Sequence, residues 1–392
     1  MRRPLPRTVV LLGIVSLLND VASDMIVPLF PAFLTLTLGG GAIALGAIEG
    51  TADALASLLK LCSGVWADRL RRYRAFVVAG YVVSALARPL VALAHAPWHV
   101  VVVRALDRTG KGLRTSPRDA LIAMAVPASR QAEAFGFHRA MDHAGAAIGP
   151  LVAVLLLAFV TTDLRTIFAL ALVPGVISLV FLARVRIDDE SALHVGKELP
   201  WKSARPDARL VRFLVPVALF TLGNASDVFL LLAATAHDAP LYSLPLLWMA
   251  LHFVKATSSL WGGRFADRVG AVRSIALGWL VYAAVYTGLA FAQSQLAVVA
   301  LTIVYGVYYG LTESAEKAVV SSIAPPALRG AYFGWYHLTV GLLALPASAL
   351  FGVLWELRSP RAAFLWGASL ALVACVALIA LMPRGAATVR AP

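Results

Sequence analysis

The sequence predicts an all-α membrane protein with twelve transmembrane helices in two pseudo-symmetric six-helix bundles. Three observations carry that expectation. The 392 residues are 60% apolar and 14% charged, with a mean hydropathy of +0.80, a balance foreign to soluble domains of this length. Apolar runs of ~20 residues, long enough to cross a ~30 Å hydrocarbon core, recur along the chain. Signatures in the first half return in the second.

The runs lie at 8–36, 42–66, 74–94, 98–122, 133–158, 163–184, 210–235, 240–264, 272–292, 295–320, 330–356 and 360–382. They divide into an N-terminal bundle (1–184), a polar linker (185–209) with Pro200 and Pro206, and a C-terminal bundle (210–392). The first run imitates a signal peptide, but Asn19 and Asp20 end it without a small-residue cleavage site, so an uncleaved span is expected. Cys62 and Cys375 both fall in spans and imply neither a disulfide framework nor a metal cluster.

The net charge of +13 is distributed unevenly. Arg2, Arg3 and Arg7 precede the first span, and Arg69, Arg71, Arg72 and Arg74 separate the second from the third. Lys197, Lys202, Arg205 and Arg209 lie in the linker, and Arg264, Arg268 and Arg273 follow the eighth span. These are alternate loops, so the positive-inside rule puts both termini and the linker in the cytoplasm; a cell inner membrane is the expected location. The charge thus belongs to topology, and no nucleic-acid partner is expected.

The halves repeat. Gly64, Ala67, Asp68 and Arg69 match Gly263, Ala266, Asp267 and Arg268; Ala22-Ser23-Asp24 matches Ala225-Ser226-Asp227; Phe135-Gly136 matches Phe333-Gly334. Three matches, each about 200 residues apart, argue for duplication with parallel topology.

The segment from Gly64 through Asp68, Arg69 and Arg72 resembles the cytoplasmic loop signature of the major facilitator superfamily, and its second copy strengthens the likeness. Asp24 with Pro28 and Pro31 resembles the first-helix motif of twelve-span drug:proton antiporters. Gly136, Gly145, Gly149 and Pro150 resemble their fifth-helix motif, although Ala153 and Val154 replace the glycine pair that follows, and Arg108 replaces a usual fourth-helix glycine. The resemblance implies the major facilitator fold, alternating access, and a secondary transporter acting as a monomer with a small solute, protons and the bilayer as partners. Physically, Gly64 and Gly263 permit close helix approach. Asp68 and Asp267 can accept hydrogen bonds at a facing helix N-terminus, a latch able to hold one conformation and release in another.

The interior is charged. Arg104, Arg108, Lys111 and Thr115 share one face of the fourth span, and each such charge at mid-bilayer costs about 2.5–3.5 kcal/mol on insertion scales. They must therefore face protein or a watery cavity. Arg104, Arg108, Lys111 and Arg139 are candidates for an anionic solute group. His143, Asn224, Asp227 and Trp335 complete the substrate-binding candidates, with Trp248, Tyr305, Tyr308 and Tyr309 as further lining. Proton-coupling candidates are Asp24 first, then Asp20, Asp53, Asp107 and Asp142. The structural alternative is that most of these charges neutralise one another as buried pairs.

The expected function is proton-coupled export of a small organic solute, anionic or amphipathic. Two other cargoes fit the fold: a divalent metal held by Asp20, Asp24, Asp53 and Asp142 with His143, and a lipid moved by a flippase or scramblase. No P-loop, nucleophile elbow or His-Glu-x-x-His occurs, so neither an enzyme nor a cofactor is expected.

Overall fold

The computed structural model describes residues 4–30, 33–39, 42–185, 204–235 and 243–382. The fold is an all-α membrane fold, with no strand among the described residues. Twelve helical segments are described: α1 (Arg7–Asp24), α2 (Ala42–Leu70), α3 (Tyr73–Ala87), α4 (Pro97–Met124), α5 (Gln131–Phe159), α6 (Leu164–Leu170 resuming as Leu172–Ala183), α7 (Ala208–Gly223 resuming as Val228–Thr235), α8 (Ser243–Val269), α9 (Ala271–Phe291), α10 (Gln295–Ile323), α11 (Arg329–Leu357) and α12 (Pro360–Leu381). Among the described residues, nine helices are long and apolar enough to cross a membrane. The charges of α4 keep it out of that set.

Three spans differ from the sequence expectation in informative ways. The run 8–36 is not one helix: α1 stops at Asp24, and short 3-10 and π turns follow at Val27–Leu29 and Phe33–Thr37. Pro28 has no N–H for the helical ladder. The run 210–235 breaks after Gly223, where Asn224 leaves helical geometry (φ −95°, ψ 91°). Asn224, Ser226 and Asp227 carry short polar side chains that compete for the backbone, and Ser226 Oγ accepts from Val228 N at 3.4 Å. Conversely, α2 and α8 outrun the expected ends at 66 and 264, so the Asp-Arg signatures sit on helix rather than loop. Of the linker 185–209, residues 186–203 lie outside the described residues.

The described chain gathers into two compact units. One comprises Met1–Val126, Met141–Arg205 and Pro325–Leu338; the other comprises Pro127–Ala140, Pro206–Ala324 and Thr339–Pro392. The N-terminal tip of α11 thus belongs to the first unit, and that of α5 to the second. Within the first unit α2 and α3 both pack on α4, and α1 packs on α6. Within the second, α8 and α9 both pack on α10, and α7 packs on α12. The same pairs meet in each, as expected of a duplicated bundle.

Candidate functional site

In the first unit a chain of polar contacts runs through α1, α3 and α4. Arg88, at the end of α3, donates from Nε to Asp107 Oδ1 at 2.9 Å and from Nη1 to the Asn19 carbonyl at 2.7 Å and to Asn19 Oδ1 at 3.0 Å. Asn19 in turn donates to Asp20 Oδ1 at 2.8 Å. Arg104 lies 3.7 Å from Asp107 Oδ2, with its guanidinium over the Phe30 ring. Asp107, a proton-coupling candidate, is therefore enclosed by two arginines. Nothing in its own segment of the sequence marks Arg88 as the link between α1 and α4.

A second chain links Asp142 of α5 to Ser16 of α1, then Ser16 to Arg118 at 3.4 Å and Arg118 to Asp119 at 3.1 Å. Asp119 also meets His337 Nε2 at 2.8 Å. Arg114 donates to Ser84 Oγ at 2.6 Å and lies over the Tyr81 ring. His143 is buried. Of the basic face on α4, Arg104 is buried, Arg108 partly buried and Lys111 accessible.

Asp24 stands apart from these chains. It is partly buried at the last turn of α1, and its carboxylate makes no direct hydrogen bond or ion pair among the described residues. The charges around it are Asp20, Lys111, Arg88 and Arg108. Gly145 and Gly149 of α5 press on this turn: a Cβ at Gly145 would meet the Leu17 carbonyl and Asp20, and one at Gly149 would meet Asp24. The side chain of Asp53 lies outside the described residues. Among the described residues, no group of three or more His, Cys, Asp or Glu could hold a metal ion.

In the second unit, Asp227 sits where α7 is broken. Its carboxylate pairs with Lys255 of α8 and accepts from Tyr305 at 2.8 Å and Tyr309 at 3.0 Å. Lys255 Nζ also lies 3.8 Å from the Tyr309 ring centroid. Asn224 donates to Tyr308 at 3.2 Å, and Tyr282 donates to the Gly223 carbonyl at 2.9 Å, so tyrosines meet two of the break's polar groups. Arg139, at the α5 tip, forms an ion pair with Glu313 of α10. Trp335, in the first unit, donates from Nε1 to the Ala204 carbonyl at 2.8 Å, so its polar end is tied to the end of the linker.

The Gly-Asp-Arg signatures form two matching constructions, one in each unit. Asp68 accepts from the N–H groups of Gly330 at 2.8 Å and Ala331 at 2.6 Å, in the first turn of α11, and from Tyr73 Oη at 2.6 Å. Asp267 accepts from Ala132 N at 3.1 Å and Glu133 N at 2.9 Å, in the first turn of α5. Those N–H groups have no partner inside their own helices, and the positive end of the helix dipole favours a carboxylate there. A Cβ on Gly64 would overlap the Gly330 carbonyl, and one on Gly263 the Ala132 carbonyl. Gly136 makes the same close approach to Ser259 and Gly263. Arg69 is partly buried, while Arg72 and Arg268 are exposed. Pro150 lies inside α5.

Comparison with known proteins agrees with this architecture. The chain is 32% identical over 389 residues to an uncharacterized MFS-type transporter of Methanocaldococcus jannaschii, covering 96% of this chain and 95% of that one. It is 26% identical over 322 residues to the multidrug resistance protein MdtH of Cronobacter sakazakii, covering 80% and 78%. In structure it is similar to the human organic anion transporter MFSD10, with a TM-score of 0.79 at 16% identity over 96% of this chain and 100% of that one. The profile described as Major Facilitator Superfamily matches residues 12–344 and 243–392, and with these relatives it makes the chain a member of that superfamily, a multi-pass membrane transporter.

Proposed function

We propose that this transporter couples inward proton movement to export of a small, amphipathic organic solute, by alternating access across a cell inner membrane with both termini cytoplasmic. One observation carries the reading. Asp24 and Asp227 occupy equivalent places in the two repeats, each where a helix is interrupted, yet only Asp227 is closed by a lysine. A carboxylate within the membrane span that has no ion pair among the described residues is suited to carrying a proton, because the neutral form avoids the cost of an unpaired charge. The Gly145 and Gly149 contacts couple that turn of α1 to α5. The Asp68 and Asp267 constructions supply the two latches, each holding one helix N-terminus and each released when the helix moves off its carboxylate. The likeness to a multidrug resistance protein supports the direction.

The test uses everted vesicles acidified inside, with acridine orange reporting the gradient. Addition of the amphipathic dye rhodamine 6G should dissipate part of the gradient with the wild type and none of it with Asp24→Asn. Undiminished, dye-dependent proton release in Asp24→Asn would remove Asp24 from the mechanism.

A second reading keeps the fold and gives the solute a negative charge, because Arg108 and accessible Lys111 follow Arg104 on one helix face. Stabilisation by benzoate that disappears in Lys111→Ala would favour it.

A further inference from the structure

Lys255 does more than neutralise a buried acid. Its ammonium meets two things at once: the Asp227 carboxylate and the face of Tyr309, 3.8 Å from the ring centroid. A carboxylate beside an electron-rich aromatic face is the combination that recognises substituted ammonium ions. The seat is also pre-organised. Tyr305 and Tyr309 fix the carboxylate through hydrogen bonds at 2.8 and 3.0 Å, and Tyr305 packs edge-on against Tyr309 at 5.6 Å. The carboxylate and the lysine differ in access. The Asp227 side chain is 14% exposed and the Lys255 side chain 3%, so the acid is the more accessible of the two.

We infer that Lys255 is a tethered stand-in for the ammonium group of a cationic amphipath, and that the Asp227 carboxylate and Tyr309 face at the break of α7 bind such a group when Lys255 withdraws. Occupation by the tether keeps the acid satisfied when no solute is present. It also weakens solute binding, because any free amine competes with a cation held at high effective concentration. The inference deepens the export reading by naming the solute's charge. Its failure is distinct from that of proton coupling: Asp24→Asn should lose dye-driven proton release yet keep the thermal shift by benzyltrimethylammonium, whereas loss of that shift with dye-driven proton release intact would sink this inference alone.

The test is a thermal-shift titration of the full-length protein in detergent with benzyltrimethylammonium, using benzoate and benzyl alcohol as controls. Lys255→Met keeps most of the stem and removes the charge. It should melt below the wild type, regain stability as benzyltrimethylammonium is added, and bind it about tenfold or more tightly than the wild type does. Neither control should shift it. Adding Asp227→Asn or Tyr309→Leu to Lys255→Met should abolish the shift. If Lys255→Met is not recovered folded, Lys255→Gln, which keeps a donor for Asp227, takes its place with the same expectations. Equal affinity in wild type and variant overturns the inference. So does binding that survives Asp227→Asn, or a shift by benzoate as large as that by the cation.

Discussion

Replacing Asp68 by alanine would strip three donors of their acceptor: the N–H groups of Gly330 and Ala331 and the hydroxyl of Tyr73. Gly330, Ala331 and Tyr73 are all buried, so water does not readily take the acceptor's place. Each buried donor left unsatisfied costs about 1–3 kcal/mol, which for the two backbone groups sums to about 2–6 kcal/mol. Asparagine is a graded version of the same change. Its single carbonyl can stand in for Oδ1, which serves both Gly330 and Tyr73, but its amide then turns a donor toward the Ala331 N–H. One charge-assisted bond is lost, worth about 1.5–3 kcal/mol. Melting temperatures in detergent should therefore fall from wild type to Asp68→Asn to Asp68→Ala. Peptide-resolved hydrogen exchange should show faster exchange at 330–331 in the same order. Asp267→Ala should instead accelerate exchange at 132–133 and leave 330–331 unchanged, since the N–H groups that its carboxylate holds at a helix start are those of the α5 tip. Wild-type melting and wild-type exchange at 330–331 in Asp68→Ala would refute the reasoning.

Four further outcomes follow from the same geometry. Arg88→Met removes the 2.9 Å ion pair of Asp107 and leaves the 3.7 Å one to Arg104; it should cost about 3–5 kcal/mol, while Arg88→Met with Asp107→Leu should recover most of it; thermal melts of the pair decide. Gly145→Val drives side-chain atoms into the Leu17 carbonyl and Asp20 and should destabilise by about 1–3 kcal/mol and abolish dye-driven proton release. Arg71 adopts φ +52° where the second repeat has Gly270 at φ +97°; Arg71→Gly should raise the melting temperature by the equivalent of about 0.5–1 kcal/mol, and Gly270→Ala should lower it by about 1–2 kcal/mol. Asp163 caps α6, accepting from the Thr166 hydroxyl and from the N–H groups of Thr166 and Arg165, and these bonds hold its carboxyl below the usual carboxylate range. A depressed pKa means the cap acts fully above about pH 4 and is lost as pH falls through the lower, folded value. Exchange at 164–168 should therefore accelerate at low pH in the wild type and lose that dependence in Asp163→Asn.

Much of this was legible in the chain. Apolar run lengths alone require membrane-spanning helices, because a backbone in hydrocarbon has to satisfy its own hydrogen bonds. Duplication was legible because Gly64 to Arg69 and Gly263 to Arg268 repeat in order. The chemistry of the signature was legible too, since a carboxylate beside a close-packing glycine suits a helix N-terminus. Which N-terminus it meets was not. That Asp68 caps α11, about 260 residues away, and Asp267 caps α5, depends on packing between elements that share no local sequence signal. Helix interruptions were half visible. Pro28 announces the end of α1, but the break at 224–227 comes from Asn224, Ser226 and Asp227 acting together, and hydrophobicity averaged over a span does not register it. Charge pairing was decided by tertiary structure alone. Asp107, Asp142 and Asp227 look alike as acids in apolar runs, yet one is enclosed by Arg88 and Arg104, one meets Ser16, and one is closed by Lys255. The sequence sets which charges must be buried, because the apolar runs that carry them must cross the membrane. Only the folded arrangement sets which of those charges neutralise each other, because partners lie on helices distant in sequence and their interaction falls with separation in space.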